Sequence, residues 1–197
     1  MDRMEKEFYL QGHVTEIAKR LLGAVLFTQV DNKISSGKIV EVEAYSGTDD
    51  KACHANNGRR TKRNEVMYAE GGVAYVYLCY GIHAMFNVVT NGEGKADAVL
   101  IRAIEPLEGI EWMKERKAYK NLLKIGSGPG NVCKAMGIEL GHNGTYLHQE
   151  KIWIAKGAEL PSENIVSSTR IGVEYAGEDA LRPWRFYIKN SPSVSKK

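Results

Sequence analysis

The chain has 197 residues, 43% hydrophobic and 26% charged, with a formal net charge of +3. This is enough for one domain with its own core and suits an ordinary soluble globule, and no apolar run is long enough to span a bilayer. Three scattered cysteines, Cys53, Cys79 and Cys133, argue against a disulfide framework, and with no apolar leader the expectation is a soluble protein of the cytoplasm, or of the nucleus in a eukaryote.

In chain order, the first ten residues read as loosely held. Residues 15–22 predict a short helix, with Ile17, Leu21 and Leu22 inward and Gly23 as its stop. Residues 24–30 and 38–45 predict a strand pair, joined through Asp31-Asn32-Lys33 and Ser35-Ser36-Gly37. In the second strand Val40, Val42 and Ala44 alternate with Glu41, Glu43 and Tyr45. Two carboxylates and a phenol therefore share a face, successive members ~6.6 Å apart. The same pattern suits the wet face of an edge strand. Gly47 ends the strand, and Thr48-Asp49-Asp50 offers cap chemistry for a short turn carrying Cys53 and His54. A carboxylate, a phenol and an imidazole thus arise from one strand–turn unit.

Residues 57–64 are a loop by composition, with cations at Arg59, Arg60, Lys62 and Arg63. Residues 73–79 predict a second strong strand with Tyr75, Tyr77 and Cys79 on one face, ended by Tyr80-Gly81. Residues 84–90 and 97–104 predict a further pair around Asn91-Gly92-Glu93-Gly94. Pro106 is expected to open a helix through Lys117, striped by Leu107, Ile110 and Met113. Ser127-Gly128-Pro129-Gly130 leads into a helix ending near Gly137. Residues 151–155, 168–173 and 185–189 predict short strands, and the polar tail from Ser191 reads as frayed. Hairpins with scattered short helices favour one α+β domain with an antiparallel sheet.

The cysteine and histidine spacings fit no zinc knuckle or ribbon. The Gly126–Gly130 stretch lacks the lysine of a phosphate loop, though amides at a helix start could hold a phosphate. No serine occupies a nucleophile elbow. Glu41 and Glu43, on one strand face, cannot straddle a sugar as a two-carboxylate glycosidase requires. One carboxylate acting on a water is the better chemistry. Tyr45, Tyr68, Tyr75, Tyr77, Tyr80 and His54, beside the basic loop, match the way proteins hold unstacked bases and their backbone. Strand tyrosines also arise from packing alone.

Glu43-Ala44-Tyr45, Asp50, His54, Thr61-x-Arg63-Asn64, Tyr75-Val76-Tyr77-x-x-Tyr80-Gly81, Asn87, Arg102-x-x-Glu105-Pro106, Ser127-Gly128-Pro129, Arg170-Ile171-Gly172-Val173 and Arg185-Phe186-Tyr187 together resemble the alkyladenine DNA glycosylase family, 3-methyladenine DNA glycosylases of the mammalian type. The likeness covers nearly the whole chain. It implies a curved antiparallel sheet with a protruding hairpin and short helices around it. It also implies hydrolysis of the bond between a damaged purine and deoxyribose, leaving an abasic site, without metal or cofactor. Duplex DNA would be the partner of a monomeric enzyme, with 3-methyladenine and 7-methylguanine as substrates and hypoxanthine and ethenoadenine as further candidates. By that likeness Glu43 is the general base, helped by Arg102 and the Ile171 carbonyl in holding the water. Tyr45, His54 and Tyr77 sandwich the flipped base, with Ala52 beside them. Asn87 filters out normal guanine, and Tyr80 is the wedge entering the duplex. Arg59, Arg60, Lys62 and Arg63 take DNA phosphates. The stretch 92–95 is slightly longer than in mammalian relatives, and Ile82 stands where some carry methionine. A lesion-binding module without catalysis, and a sugar hydrolase unrelated to DNA, are the competing readings.

Overall fold

A computed structural model describes residues 1–116, 121–149 and 151–196. Among these described residues, eight antiparallel strands form one open sheet: β1 (Val25–Val30), β2 (Lys33–Tyr45), β3 (Ala74–Cys79), β4 (His83–Thr90), β5 (Asp97–Glu108), β6 (Ile152–Ala155), β7 (Ile165–Ser168) and β8 (Arg185–Ile188). The order is β3-β4-β5-β2-β1-β6, with β8 joining β2 and β7 joining β8. The expected α+β class therefore holds.

β2 is the spine. Along one edge it pairs with β5; along the other, β1 covers its first half and β8 its second. Asp31 and Asn32 both take positive φ, 51° and 60°, as a two-residue primed turn requires. Hence Ser35, Ser36 and Gly37 belong to β2 itself rather than to the connection.

One sheet face packs on helices. In α1 (Val14–Leu21), Val14, Ile17, Ala18 and Leu21 are buried, the i, i+3, i+4, i+7 stripe of an amphipathic helix. Together with α3 (Pro129–Met136) it closes over Ile39, Val42, Ala44, Phe86, Val88 and Ile101. Ile39, not Val40, takes the core position, because the register places Val40 in a bulge of β2 and Arg102 in a matching bulge of β5. Bulges of this kind re-aim side chains and recur beside active sites.

The β3–β4 hairpin protrudes for a simple reason. Only Asn87–Thr90 of β4 find partners on β5, so the outer half of the hairpin has no neighbour there. Tyr80 and Ile82 at its tip are 92% and 71% exposed. The 92–95 loop lies at the other end of β4 from this tip.

Four expectations need correction. Pro106 does not open a helix; it lies within β5, opposite Gly37 where the register shifts, a position that needs no ladder N–H. The helix is α2 (Ile110–Arg116), and it starts after Gly109, where a Cβ would collide with the Ile34 carbonyl; the expected end at Lys117 falls outside the described residues. The expected 168–173 strand ends at Ser168, so Arg170 and Ile171 lie on a turn. The N-terminus is anchored: Tyr9 is fully buried, its carbonyl accepts from Asn91 N at 2.7 Å, and Met4 N donates to Ile154 O at 2.8 Å. The tail is anchored too, with Ser193 fully buried and Ser195 bonded to Glu41.

Candidate active site

A single ladder row builds most of the site. Tyr75 on β3 pairs with Asn87, Asn87 with Leu100, Leu100 with Glu43, and Glu43 with Arg185. Side chains opposite one another in register share a face. The row therefore brings Glu43, Asn87 and the aromatic Tyr75 to the sheet face away from the helices. A cavity of about 230 Å³ opens there, walled by Glu43, Tyr45, Ala52, His54, Tyr77, Asn87, Arg102 and Ile171, with Tyr80 at its edge. That volume is below the roughly 300–1,000 Å³ of a drug-sized site and suits one flat ring system.

Both carboxylates of β2 are fully buried, so the wet-edge reading is wrong for this strand. The cause is its central position, paired with β5 and β8 along its edges, with Ile171 reaching Glu43 and Ser195 reaching Glu41 over the face that alternation alone leaves open. Glu43 meets three donors. Ile171 N donates to Oε1 at 2.8 Å, Arg102 Nη1 lies 3.2 Å from Oε1, and the Tyr45 hydroxyl donates to Oε2 at 2.7 Å. Ile171 thus reaches Glu43 through its amide. A carboxylate has about four lone-pair sites, so three donors leave room for one more.

Arg102, brought here by its bulge, is shared with Glu41, whose Oε1 lies 3.3 Å from Nε. Burial alone would lower the Arg102 pKa, but Glu43 and Glu41 outweigh it and hold the guanidinium above its ordinary value. Burial, then the neighbouring Glu43, pushes the Tyr45 phenol well above the usual tyrosine range, so it stays a donor.

The turn after β2 is fixed by Asp50. Its Oδ1 accepts from Ala52 N at 3.0 Å, and its two oxygens receive Arg170 at 2.5 and 2.8 Å. The cap expected from Thr48-Asp49-Asp50 is thus Asp50, over turns rather than a regular helix. This places His54, whose Nδ1 is 2.9 Å from the Tyr75 hydroxyl. Burial lowers the His54 pKa to about 4, with Arg63 and Arg59 adding to it, while burial raises Tyr75 to about 12. Both are therefore neutral at pH 7. This contact joins Nδ1 to the phenol, and the neutral ring keeps one donor and one acceptor nitrogen.

His54 contacts Tyr77 edge-on, centroids 4.6 Å apart. Arg63 lies over the Tyr77 ring at 5.1 Å and Arg170 over the Tyr45 ring at 4.8 Å. Each guanidinium draws on the same π cloud that a cationic base would use, so these rings offer stacking area more than charge selection. Asn87 is held rigidly, its amide donating to Tyr75 O at 3.1 Å.

The basic loop is organised by Asn64, which accepts from Thr61 N and donates to the carbonyls of His54 and Arg59. Its four cations are not equivalent. Arg60 is clamped by Glu65, and Arg63 donates to Leu78 O at 3.1 Å. Arg59 and Lys62 have no ion pair among the described residues. Arg59, Arg63 and Lys51 line a hollow of about 700 Å³ that adjoins the smaller cavity through His54, Tyr75 and Tyr175. Arg170, Arg185 and Tyr175 were not expected at the site. Arg170 and Arg185 stood in matching motifs without a role, and only tertiary contacts reveal what they hold. No helix among the described residues is long and apolar enough to cross a membrane.

The model of the Methylpurine-DNA glycosylase (MPG) family matches residues 7–192. A Chlamydia felis protein with the provisional name 3-methyladenine DNA glycosylase is 46% identical over 97% of this chain and 100% of its own. Proteins of the same provisional name from Desulfitobacterium hafniense and Bacillus cereus are 43% and 46% identical, covering 100% and 96% of this chain and 100% and 97% of theirs. The chain belongs to the methylpurine-DNA glycosylase family and is a DNA glycosylase.

Proposed function

We propose that the enzyme excises damaged purines, 3-methyladenine and 7-methylguanine foremost, by a water that Glu43 activates, as the opening step of base excision repair. The observation that carries this reading is Glu43 in the wall of an aromatic cavity sized for one base. A base within the duplex shields its own sugar, so the nucleotide must first be swung out, at a cost of a few kcal/mol. Tyr80, projecting from the hairpin tip, offsets part of that cost by filling the space left behind.

The carboxylate takes a proton from the water as its oxygen attacks the anomeric carbon. The bond to the purine breaks and its electrons leave with the base. Positive charge that builds on the sugar is stabilised by the same carboxylate. A ring-alkylated purine is already cationic and departs readily. A neutral purine such as hypoxanthine needs a proton on leaving, and His54 in the cavity wall is the candidate hydrogen-bond contact to the base. Tyr45, His54, Tyr77 and Ala52 surround the base, and the fixed Asn87 excludes the amino group of ordinary guanine. Arg59 and Lys62, free of internal ion pairs among the described residues, take backbone phosphates most readily.

The test is incubation of the enzyme with methylated duplex DNA. Free methylated purine should appear in equal amount with alkali-labile sites, without added metal. Tight binding to methylated DNA with no base released would instead support the lesion-binding module.

A further inference from the structure

We propose that Glu41 is a positioning residue for base excision and that the C-terminal segment, through Ser195, keeps it in that role; this rests on Glu43 being the base. Glu41 is fully buried and four contacts reach it. Its Oε1 receives Arg102 Nε at 3.3 Å, Arg185 Nη1 at 3.0 Å and Ser195 Oγ at 2.9 Å, and its Oε2 receives Ser195 N at 2.7 Å. Arg185 is itself tied to the tail through the Lys196 carbonyl at 2.8 Å. Arg102 stands between two acids, Nε toward Glu41 and Nη1 toward Glu43 at 3.2 Å.

The arrangement divides one guanidinium between two carboxylates. Arg185 and the Ser195 donors satisfy most of Glu41, so Arg102 gives it one N–H and keeps Nη1 for Glu43. The groups facing Glu41 are Arg102 from β5, Arg185 from β8 and Ser195 from the tail. Those facing Glu43 are Tyr45 from its own strand, Arg102 from β5 and the Ile171 amide, with Arg170 and Tyr175 close by. Taking donors from Glu41 should therefore draw Arg102 away from Glu43. Removing the Glu41 charge should do the reverse. The Arg102 contact orients the Glu43 carboxylate, so the two changes act on cleavage with opposite sign. A purely structural ion cluster would lower stability in both cases and shift nothing in opposite directions.

The experiment is single-turnover base release from methylated duplex DNA, with enzyme in excess, beside DNA affinity by gel shift and the melting temperature of each variant. Ser195→Ala and truncation after Val194 should lower the cleavage rate about threefold, with DNA affinity within about twofold of wild type. Glu41→Gln should change the rate in the opposite sense. Were Glu41→Gln to fail to fold, the two tail variants decide the matter alone. Rates unmoved in the folded variants, or rates following melting temperature only, would overturn the proposal. Wild-type cleavage by Glu43→Gln would instead overturn the assignment of the base beneath it.

Discussion

Glu43 acquires its surroundings from three separated pieces of chain: the phenol two residues on, a guanidinium from a bulge in β5 and an amide from the turn after β7. Alternation in the sequence showed that Glu41, Glu43 and Tyr45 share a face, and that much is local geometry. It could not show which carboxylate faces the cavity and which faces the tail, because the deciding partners lie 61 to 154 residues away. His54 leads to a prediction at this same scale. Burial lowers its pKa from 6.5 to about 4. Between those values the unfolded chain takes up a proton that the folded chain refuses, so stability falls as pH drops through that window. Between about pH 7.5 and 5 this imidazole should account for a loss of about 1–2 kcal/mol. Urea unfolding of His54→Gln should show a correspondingly smaller loss than wild type; equal losses would mean that His54 is not held neutral by the fold.

At the scale of elements, the hairpin was legible because β3 carries a clear period of two and ends at Tyr80-Gly81. Its protrusion was not, since it depends on where β5 stops pairing with β4. Pro106 misled for a related reason. Proline opens helices, yet here a bulge excuses its missing N–H and the strand continues past it. Tyr80 adopts φ of 50° at the tip, a conformation that costs a side chain about 1–2 kcal/mol. Tyr80→Gly should relieve that strain while adding unfolded-state entropy of about 0.5–1 kcal/mol, so the melting midpoint should hardly move. If Tyr80 is the wedge proposed above, excision from a fully paired site should nevertheless fall at least about tenfold. Excision from a mismatched, already loosened site should fall much less. Equal falls at the two sites would show that Tyr80 acts on something other than extrusion.

For the whole molecule, composition pointed to one ordinary globule, and the fold class follows from hairpin order. The ends of the chain were read wrongly. Polar, short tails look free in sequence, yet Tyr9 closes the core and Ser195 closes the charge cluster through contacts that no local pattern encodes. Net charge of +3 says little about DNA affinity; the distribution of free cations decides it. DNA binding should weaken with salt, and Lys62→Ala should reduce the slope of log K against log salt by about 1. Arg60→Ala should reduce it less, since Glu65 already engages that guanidinium. A larger effect at Arg60 than at Lys62 would mean that the clamp opens on DNA.

The central claim is that one acid on β2 activates the water that releases the base. Wild type and Glu43→Gln should be compared on the same methylated duplex, with affinity measured by a gel shift and base release measured under single turnover. Affinity should stay within about threefold while release falls by at least about a thousandfold. A variant that binds as wild type does and still releases the base at a comparable rate would contradict the account.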